Sequence, residues 1–367
     1  MSKDYTLGSV SFYGQSDSFL SPILEPYYNS KKRIGVVHWW DIQQYVYRGA
    51  SKEGTRFNPE YDVEFLEKLN DIEAFVSGVD VCIVISEEMM GTSCPGTWLR
   101  RKLVYDMFDQ YNTAYVTFGV EPLMPSGDRC FNYLWMCKNT PIYPSKEFQP
   151  TWDYKPKQYT FNMMLGSDKQ HRTHLFHTVG SENDKIYSTY FGQDELKHLS
   201  DTHLEDEEIL ENLTNQITYK RKLNTLEDVS AGPISRIIPE KIYNHSHFDI
   251  VSETWLDHGF FFATEKTSKP LSTGRWFISY VTHKHFEFLE KWGFDFSDYQ
   301  IDYDVKENTY RLDLVVKKIK EINEDTSLVK HIYSETKANR RHNKQVYNTL
   351  HSRIHQDLTE FVKEMVL

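Results

Sequence analysis

The sequence predicts an α/β protein of two doubly wound units, and three observations carry that expectation. Short apolar runs recur without the polar alternation of a half-exposed sheet, as in Ile34-Gly35-Val36-Val37 and Val81-Cys82-Ile83-Val84-Ile85. Segments of helical spacing separate these runs, so strand and helix alternate. At 367 residues the chain is longer than one core ordinarily grows, which favours two domains.

Taken in order, Arg33 to Trp40 reads as a buried strand closing on Asp41, and Asp80 to Ser86 as a second closing on Glu87 and Glu88. Tyr61 to Leu69 and Trp98 to Tyr111 have helical spacing, and Ala114 to Gly119 gives a third strand. Pro141, Pro144, Pro150 and Pro156 mark a linker, so the domains are expected at 1–150 and 157–330, with a helical extension at 331–367. In the second domain Phe161 to Leu165 is a strand, Gly166 to Gln170 a polar turn, His171 to Val179 a helix and Lys185 to Phe191 a strand. Asp194 to Asp228 is an acid-rich surface insertion. Phe248 to Glu253 is a strand ending on a carboxylate, and Arg275 to Tyr280 is another, entered through Gly274. Thr282 is expected to cap a helix that stops at Gly293. Leu312 to Ile322 and Val346 to Val366 supply two further amphipathic helices.

Composition narrows the function. The formal charge of −11 disfavours a protein whose main task is coating nucleic acid, although Arg100-Arg101-Lys102 and Arg340-Arg341 with Lys344 form local basic clusters. The four cysteines lack the spacing of a zinc site and are read as reduced thiols. The histidines His171, His174, His177, His245, His247, His283 and His285 bring no evident carboxylate partner, so no metal site is expected. No apolar run approaches the roughly 20 residues of a membrane span, and the N-terminus has no signal-peptide core. A cytoplasmic protein is expected, in the host cytoplasm if the source is viral.

The stretch Phe260-Phe261-Phe262-Ala263-Thr264-Glu265-Lys266 carries the chemistry. Thr264 suits a helix N-cap, and the apolar run before it suits an approach through the interior. A lysine in a first helical turn opposes the macrodipole, so an anion such as a diphosphate would compensate it. Glu265 beside it could accept hydrogen bonds from paired ribose hydroxyls.

The order of a strand ending on Glu253, a short connection, Thr264-Glu265-Lys266, a helix and an apolar strand resembles the donor-binding half of GT-B glycosyltransferases of the fucosyltransferase type. The resemblance covers roughly residues 245–295. It implies two Rossmann-like doubly wound domains facing a cleft, with the C-terminal helix crossing back. It also implies ribose binding by Glu265, diphosphate binding by Lys266, and a place in the cleft lining for Glu253. Thr267-Ser268-Lys269-Pro270 follows in place of that family's Leu-Trp, so its base and sugar specificity do not carry over. Separately, Gly166-Ser167-Asp168-Lys169-Gln170-His171-Arg172 is similar to the turn with which phage DNA β-glucosyltransferases grip UDP. That likeness implies phosphate contacts from Gly166, Ser167, Lys169 and Arg172.

The expected activity is sugar transfer, with inversion, from a nucleotide-diphosphate donor to an acceptor hydroxyl. A UDP-sugar is favoured over a GDP-sugar; no cofactor is required, and a divalent metal is left open but not indicated. Asp41 or Glu87, at strand ends of the first domain, is the expected catalytic base, with Glu88 and Glu121 behind them. The acceptor leans to a hydroxymethylated pyrimidine flipped from phage DNA, which would require the clusters around Arg100 and Arg340 to flank the cleft. A glycan, lipid-linked sugar or protein is the alternative acceptor. The competing readings are a metal-dependent GT-A enzyme using Asp302-Tyr303-Asp304, and a non-catalytic nucleic-acid-binding or assembly protein.

Overall fold

The computed structural model describes residues 5–13, 20–47, 59–86, 95–119, 127–134, 144–145, 148–165, 170–180, 183–190, 238, 240–253, 261–297, 305 and 307–367. The chain divides into two compact units. The first comprises Met1–Thr140, Gly259–Phe262 and His351–Leu367, and the second Pro141–His258 and Ala263–Leu350.

The first unit is built on a sheet of six strands, β1 (Tyr5–Leu7), β2 (Val10–Tyr13), β3 (Ile34–His38), β4 (Val81–Ser86), β5 (Thr113–Thr117) and β6 (Cys130–Asn132). They lie in chain order across the sheet, β1 antiparallel to β2 and the rest parallel. Every residue of β3, β4 and β5 is buried, as expected of parallel strands covered on both faces. After a short α1 (Ser21–Leu24) come α2 (Trp39–Tyr47), α3 (Pro59–Ser77) and α4 (Pro95–Phe108). Proline begins α3 and α4, where its missing N–H costs nothing and its fixed φ suits the first helical position. Phe65, Ile72 and Val76 of α3 join Ile42, Val46, Val104, Tyr105 and Phe108 against Val37, Val84 and Tyr115 of the sheet.

Arg100 staples these helices together. Its Nε and Nη2 donate to Asp62 Oδ1 at 3.2 and 2.6 Å, and Nη1 donates to the carbonyls of Tyr45 and Val46 at 3.1 and 3.3 Å. Its guanidinium also sits 5.4 Å from the Phe65 ring centre. Arg100 and Arg101 are both buried while Lys102 is exposed, so the two arginines of this cluster add nothing to a basic face.

The second unit holds four parallel strands, β7 (Tyr159–Leu165), β8 (Ile186–Tyr190), β9 (Ser246–Ser252) and β10 (Phe277–Tyr280), in the order β10-β9-β7-β8. Here the chain reverses direction: it steps from β7 to β8 on one side, then returns to place β9 on the other. The doubly wound expectation therefore describes the second unit. In the first, the described strands advance one way only.

Among the described residues the helices of the second unit are α5 (Gln170–Leu175), running into a wider turn at Phe176–Gly180, α6 (Glu240–His245), α7 (Glu265–Thr273), α8 (His285–Glu290), α9 (Asn308–Glu324), α10 (Thr326–Glu335) and the start of α11 (Lys337–Val366). Inside the unit, Arg275 Nε meets Asp249 Oδ2 at 2.5 Å while Asn162 Nδ2 donates to Asp249 Oδ1 at 2.7 Å. Such a buried charge is tolerated because its oxygens are bonded. α8 begins behind Lys284, whose φ is 63°, and Thr282 is not its cap. The Thr282 carbonyl instead accepts from His285 N at 3.2 Å, closing a turn that delays the helix.

Arg340 is the counterpart of Arg100. It is buried, and its guanidinium donates to the carbonyls of Thr151, Trp152, Tyr333 and Gly274. The proline-marked stretch around Trp152 is thereby fastened into the second unit rather than left as a free linker. The region expected as a separate extension is shared out as well: α11 starts in the second unit, and its last turns, from His351, belong to the first. There Phe361 packs against Phe131 at 5.4 Å between ring centres, and Lys32 Nζ donates to the Leu367 carbonyl at 2.8 Å. Among the described residues no helix is long and apolar enough to cross a membrane.

Candidate functional site: two helix starts at a strand reversal

In an open α/β sheet, ligands bind beyond the carboxyl ends of strands where the strand order reverses. In the second unit that point lies between β7 and β9, paired in register at Met163 and Ile250. The chain leaving β7 opens α5, and the chain leaving β9 at Glu253 leads to α7.

Thr264 is extended, with φ −109° and ψ −168°, and caps α7 by accepting from Lys266 N at 3.4 Å. Glu253 is 1% exposed and reaches the same helix start. Its Oε1 accepts from Thr264 N at 3.0 Å, Thr267 N at 3.3 Å and Thr267 Oγ1 at 2.6 Å, and its Oε2 from Thr264 Oγ1 at 2.6 Å. The carboxylate thus satisfies first-turn donors and offsets the helix dipole. His171 Nε2 of α5 donates to the carbonyl of Glu253 at 2.9 Å, and its ring lies edge-on to Tyr280 at 6.1 Å. Glu253 consequently touches both helix starts.

Lys266 Nζ donates to Glu265 Oε1 at 2.8 Å and to Thr264 Oγ1 at 3.2 Å. The side chains of Lys266 and Glu265 are 17% and 19% exposed, so this pair is the accessible edge of the cluster. Burial pulls the Glu265 carboxyl upward, but the charge and hydrogen bond of Lys266 outweigh it and hold the group below its ordinary value. Lys269, one turn further, is buried, and desolvation pushes its ammonium down to about 8 against the opposing pull of Glu265. The far side of α7 is braced by α11: Ser268 Oγ and Tyr347 Oη lie 2.6 Å apart, and Lys344 Nζ donates to the Ser272 carbonyl at 2.5 Å.

Chemically, this edge offers a carboxylate that can accept from hydroxyls beside an ammonium that can meet an anion. Thr264, Glu265 and Lys266 are brought together with Glu253 as neighbours in one network. Arg172 is buried in α5. Gly166, Ser167 and Lys169 lie outside the described residues, as do Glu87, Glu88, Glu121, Phe260 and the Asp302–Asp304 motif. Asp41 is half-buried in the first turn of α2, in the first unit.

Sequence reasoning missed Thr267, Lys269 and a polar row in the first unit. His38, Ser86, Thr117 and Asn132 are the last residues of β3, β4, β5 and β6, and Thr117 Oγ1 donates to Asn132 Oδ1 at 2.7 Å. A polar residue closing each of several apolar runs was the available signal. Among the described residues no group of three or more metal-binding side chains assembles, and Cys82 and Cys130 are free thiols.

The fold and site define an α/β protein with a charged, partly exposed helix start at a strand reversal. No family model matches the chain, and no curated protein matches it. Among solved structures, an alpha-glucosyltransferase in complex with UDP-glucose and DNA containing an abasic site aligns over 89% of this chain and 91% of its own, at 8% identity and a TM-score of 0.32.

Proposed function

We propose that the protein is a GT-B glycosyltransferase that takes a sugar from a nucleoside-diphosphate donor, UDP favoured over GDP, and passes it with inversion to an acceptor hydroxyl. The observation that carries this reading is the placement of the Glu265-Lys266 pair, in one network with Glu253 and the α5 residue His171, at the strand reversal of the second unit. Glu265 holds the ribose hydroxyls, and Lys266 turns from Glu265 to the diphosphate. Lys266 then stabilises charge that develops on the leaving group as the glycosidic bond breaks. Gly166, Ser167, Lys169 and Arg172 serve the phosphates from the α5 side. The acceptor proton goes to a carboxylate of the first unit, Asp41 or Glu87.

Transfer to DNA calls for the clusters around Arg100 and Arg340 to flank the cleft; Arg100, Arg101 and Arg340 are buried, whereas Lys102 and Arg341 of the same clusters are exposed. A hydroxymethylated pyrimidine in DNA is the favoured acceptor, with a glycan, lipid-linked sugar or protein hydroxyl as the alternative.

The test is release of nucleoside diphosphate from UDP- and GDP-sugars, each offered with hydroxymethylated DNA and with a glycan panel. Release from one donor, raised by one acceptor, is expected. No release from any pairing, together with no nucleotide binding, overturns the reading.

A further inference from the structure

Glu253 stands where a phosphate would enter the start of α7. Its oxygens already accept from the amides of Thr264 and Thr267 and from both threonine hydroxyls, and the side chain is sealed from solvent. An incoming phosphate would have to displace a buried carboxylate of the same charge sign. Resting on the nucleotide-sugar reading, we infer that Glu253 is a positioning residue and not a donor ligand: it closes the α7 amides to phosphate and fixes Lys266 as the group that meets the diphosphate.

The link to Lys266 runs through one hydroxyl. Thr264 Oγ1 gives its proton to Glu253 Oε2 at 2.6 Å, so its lone pairs are left for the Lys266 amide and for Lys266 Nζ at 3.2 Å. With Gln at 253, an amide N–H2 facing Thr264 would reverse that hydroxyl and leave Lys266 Nζ opposite a donor. The carbonyl of Glu253 meanwhile holds His171, so a shift at this residue reaches α5 as well as α7. This role differs from the cleft-lining role implied by the resemblance to fucosyltransferases.

The experiment compares the full chain with Glu253→Gln, Thr264→Val and the double variant. Titration calorimetry uses UDP and GDP, each against its parent nucleoside. The inference predicts diphosphate binding about tenfold weaker in each single variant, the scale of one charge-assisted hydrogen bond. Nucleoside affinity stays unchanged, and the double variant is no worse than either single, because both act through one relay. Wild-type diphosphate affinity in Glu253→Gln, or additive losses in the double variant, overturns it. Hydrogen exchange supplies a readout that needs no ligand: in Glu253→Gln, segments 265–273 and 170–175 should exchange faster while β7 is unchanged. Unchanged exchange in both helices overturns the positioning role even if a nucleotide binds. A wild type that binds neither diphosphate, with the exchange effect present, overturns the donor reading and leaves the positioning role standing.

Discussion

A lysine in the first turn of a helix is repelled by the dipole, and in this chain two carboxylates answer it. Glu253 sits buried beneath the turn, and Glu265 pairs with Lys266 at its edge. The internal anion was not foreseeable from the triplet alone, because Glu253 lies 11 residues before Thr264. Lys269 adds a buried cation whose proton is held weakly, at about 8 against an ordinary 10.5. The sign follows directly: between pH 8 and 10.5 the unfolded chain keeps a proton that the folded chain has lost, so stability rises with pH across that window and the full penalty applies below 8. Lys269→Met should therefore be more stable than the parent at pH 7, and the gap should close as pH approaches 10.5. Urea midpoints at pH 7, 9 and 10 measure this. A gap independent of pH would show that packing, not charge burial, sets the difference.

At the scale of elements, α7 is shaped by its ends. Thr264 opens it, and Gly274 closes it at φ 68°, a left-handed conformation that suits glycine. A Cβ on Gly274 would lie 2.5 Å from Cη2 of Trp152, which leaves no room without displacing the indole. Gly274→Ala is expected to cost about 1–3 kcal/mol, from the left-handed penalty together with the clash. Thermal or urea unfolding reads this, and a loss below about 0.5 kcal/mol, the range of ordinary surface substitutions, would contradict it. Both ends of α7 were legible in the sequence, as were β3, β4, β5, β7 and β9, because strands covered on both faces read as unbroken apolar runs. β1, β2 and β6 were not, since three or four residues give a period of two too little length to show. The helix after β10 was placed early because a threonine is a common cap. The actual start follows a lysine in a conformation that sequence does not announce.

Across the whole molecule, charge in the sequence misled about surface. Arg100 and Arg340 sit in basic clusters, yet each lies inside: Arg100 divides its bonds between Asp62 and two backbone carbonyls, and Arg340 donates largely to backbone carbonyls. A carbonyl acceptor leaves no mark in composition, so only the fold reveals such an arginine. The candidate site was legible to a similar degree: Thr264, Glu265 and Lys266 were visible as a triplet, whereas the strand reversal that gives them meaning depends on pairing between distant segments. The chain's last turns illustrate the same point. Ile354, Leu358, Val362 and Val366 recur at helical spacing and are buried with the first unit, although they follow a stretch that packs in the second. Truncation after Leu350 should speed hydrogen exchange in β2 to β6 and leave β7 and β9 unchanged. Equal protection of β2 to β6 in the truncated chain would contradict the assignment of this helix end to the first unit.

The measurement that tests the donor-site claim most directly is a thermal-shift comparison of UDP, GDP, ADP and CMP on the parent chain and on Lys266→Ala. A ligand that binds the folded state raises the melting temperature in proportion to the logarithm of its excess over Kd. The account predicts that a nucleoside diphosphate, UDP first, raises the melting temperature of the parent, and that Lys266→Ala folds but loses at least about tenfold in affinity for it. A panel without any shift in the parent, or an equal shift in Lys266→Ala, would contradict it.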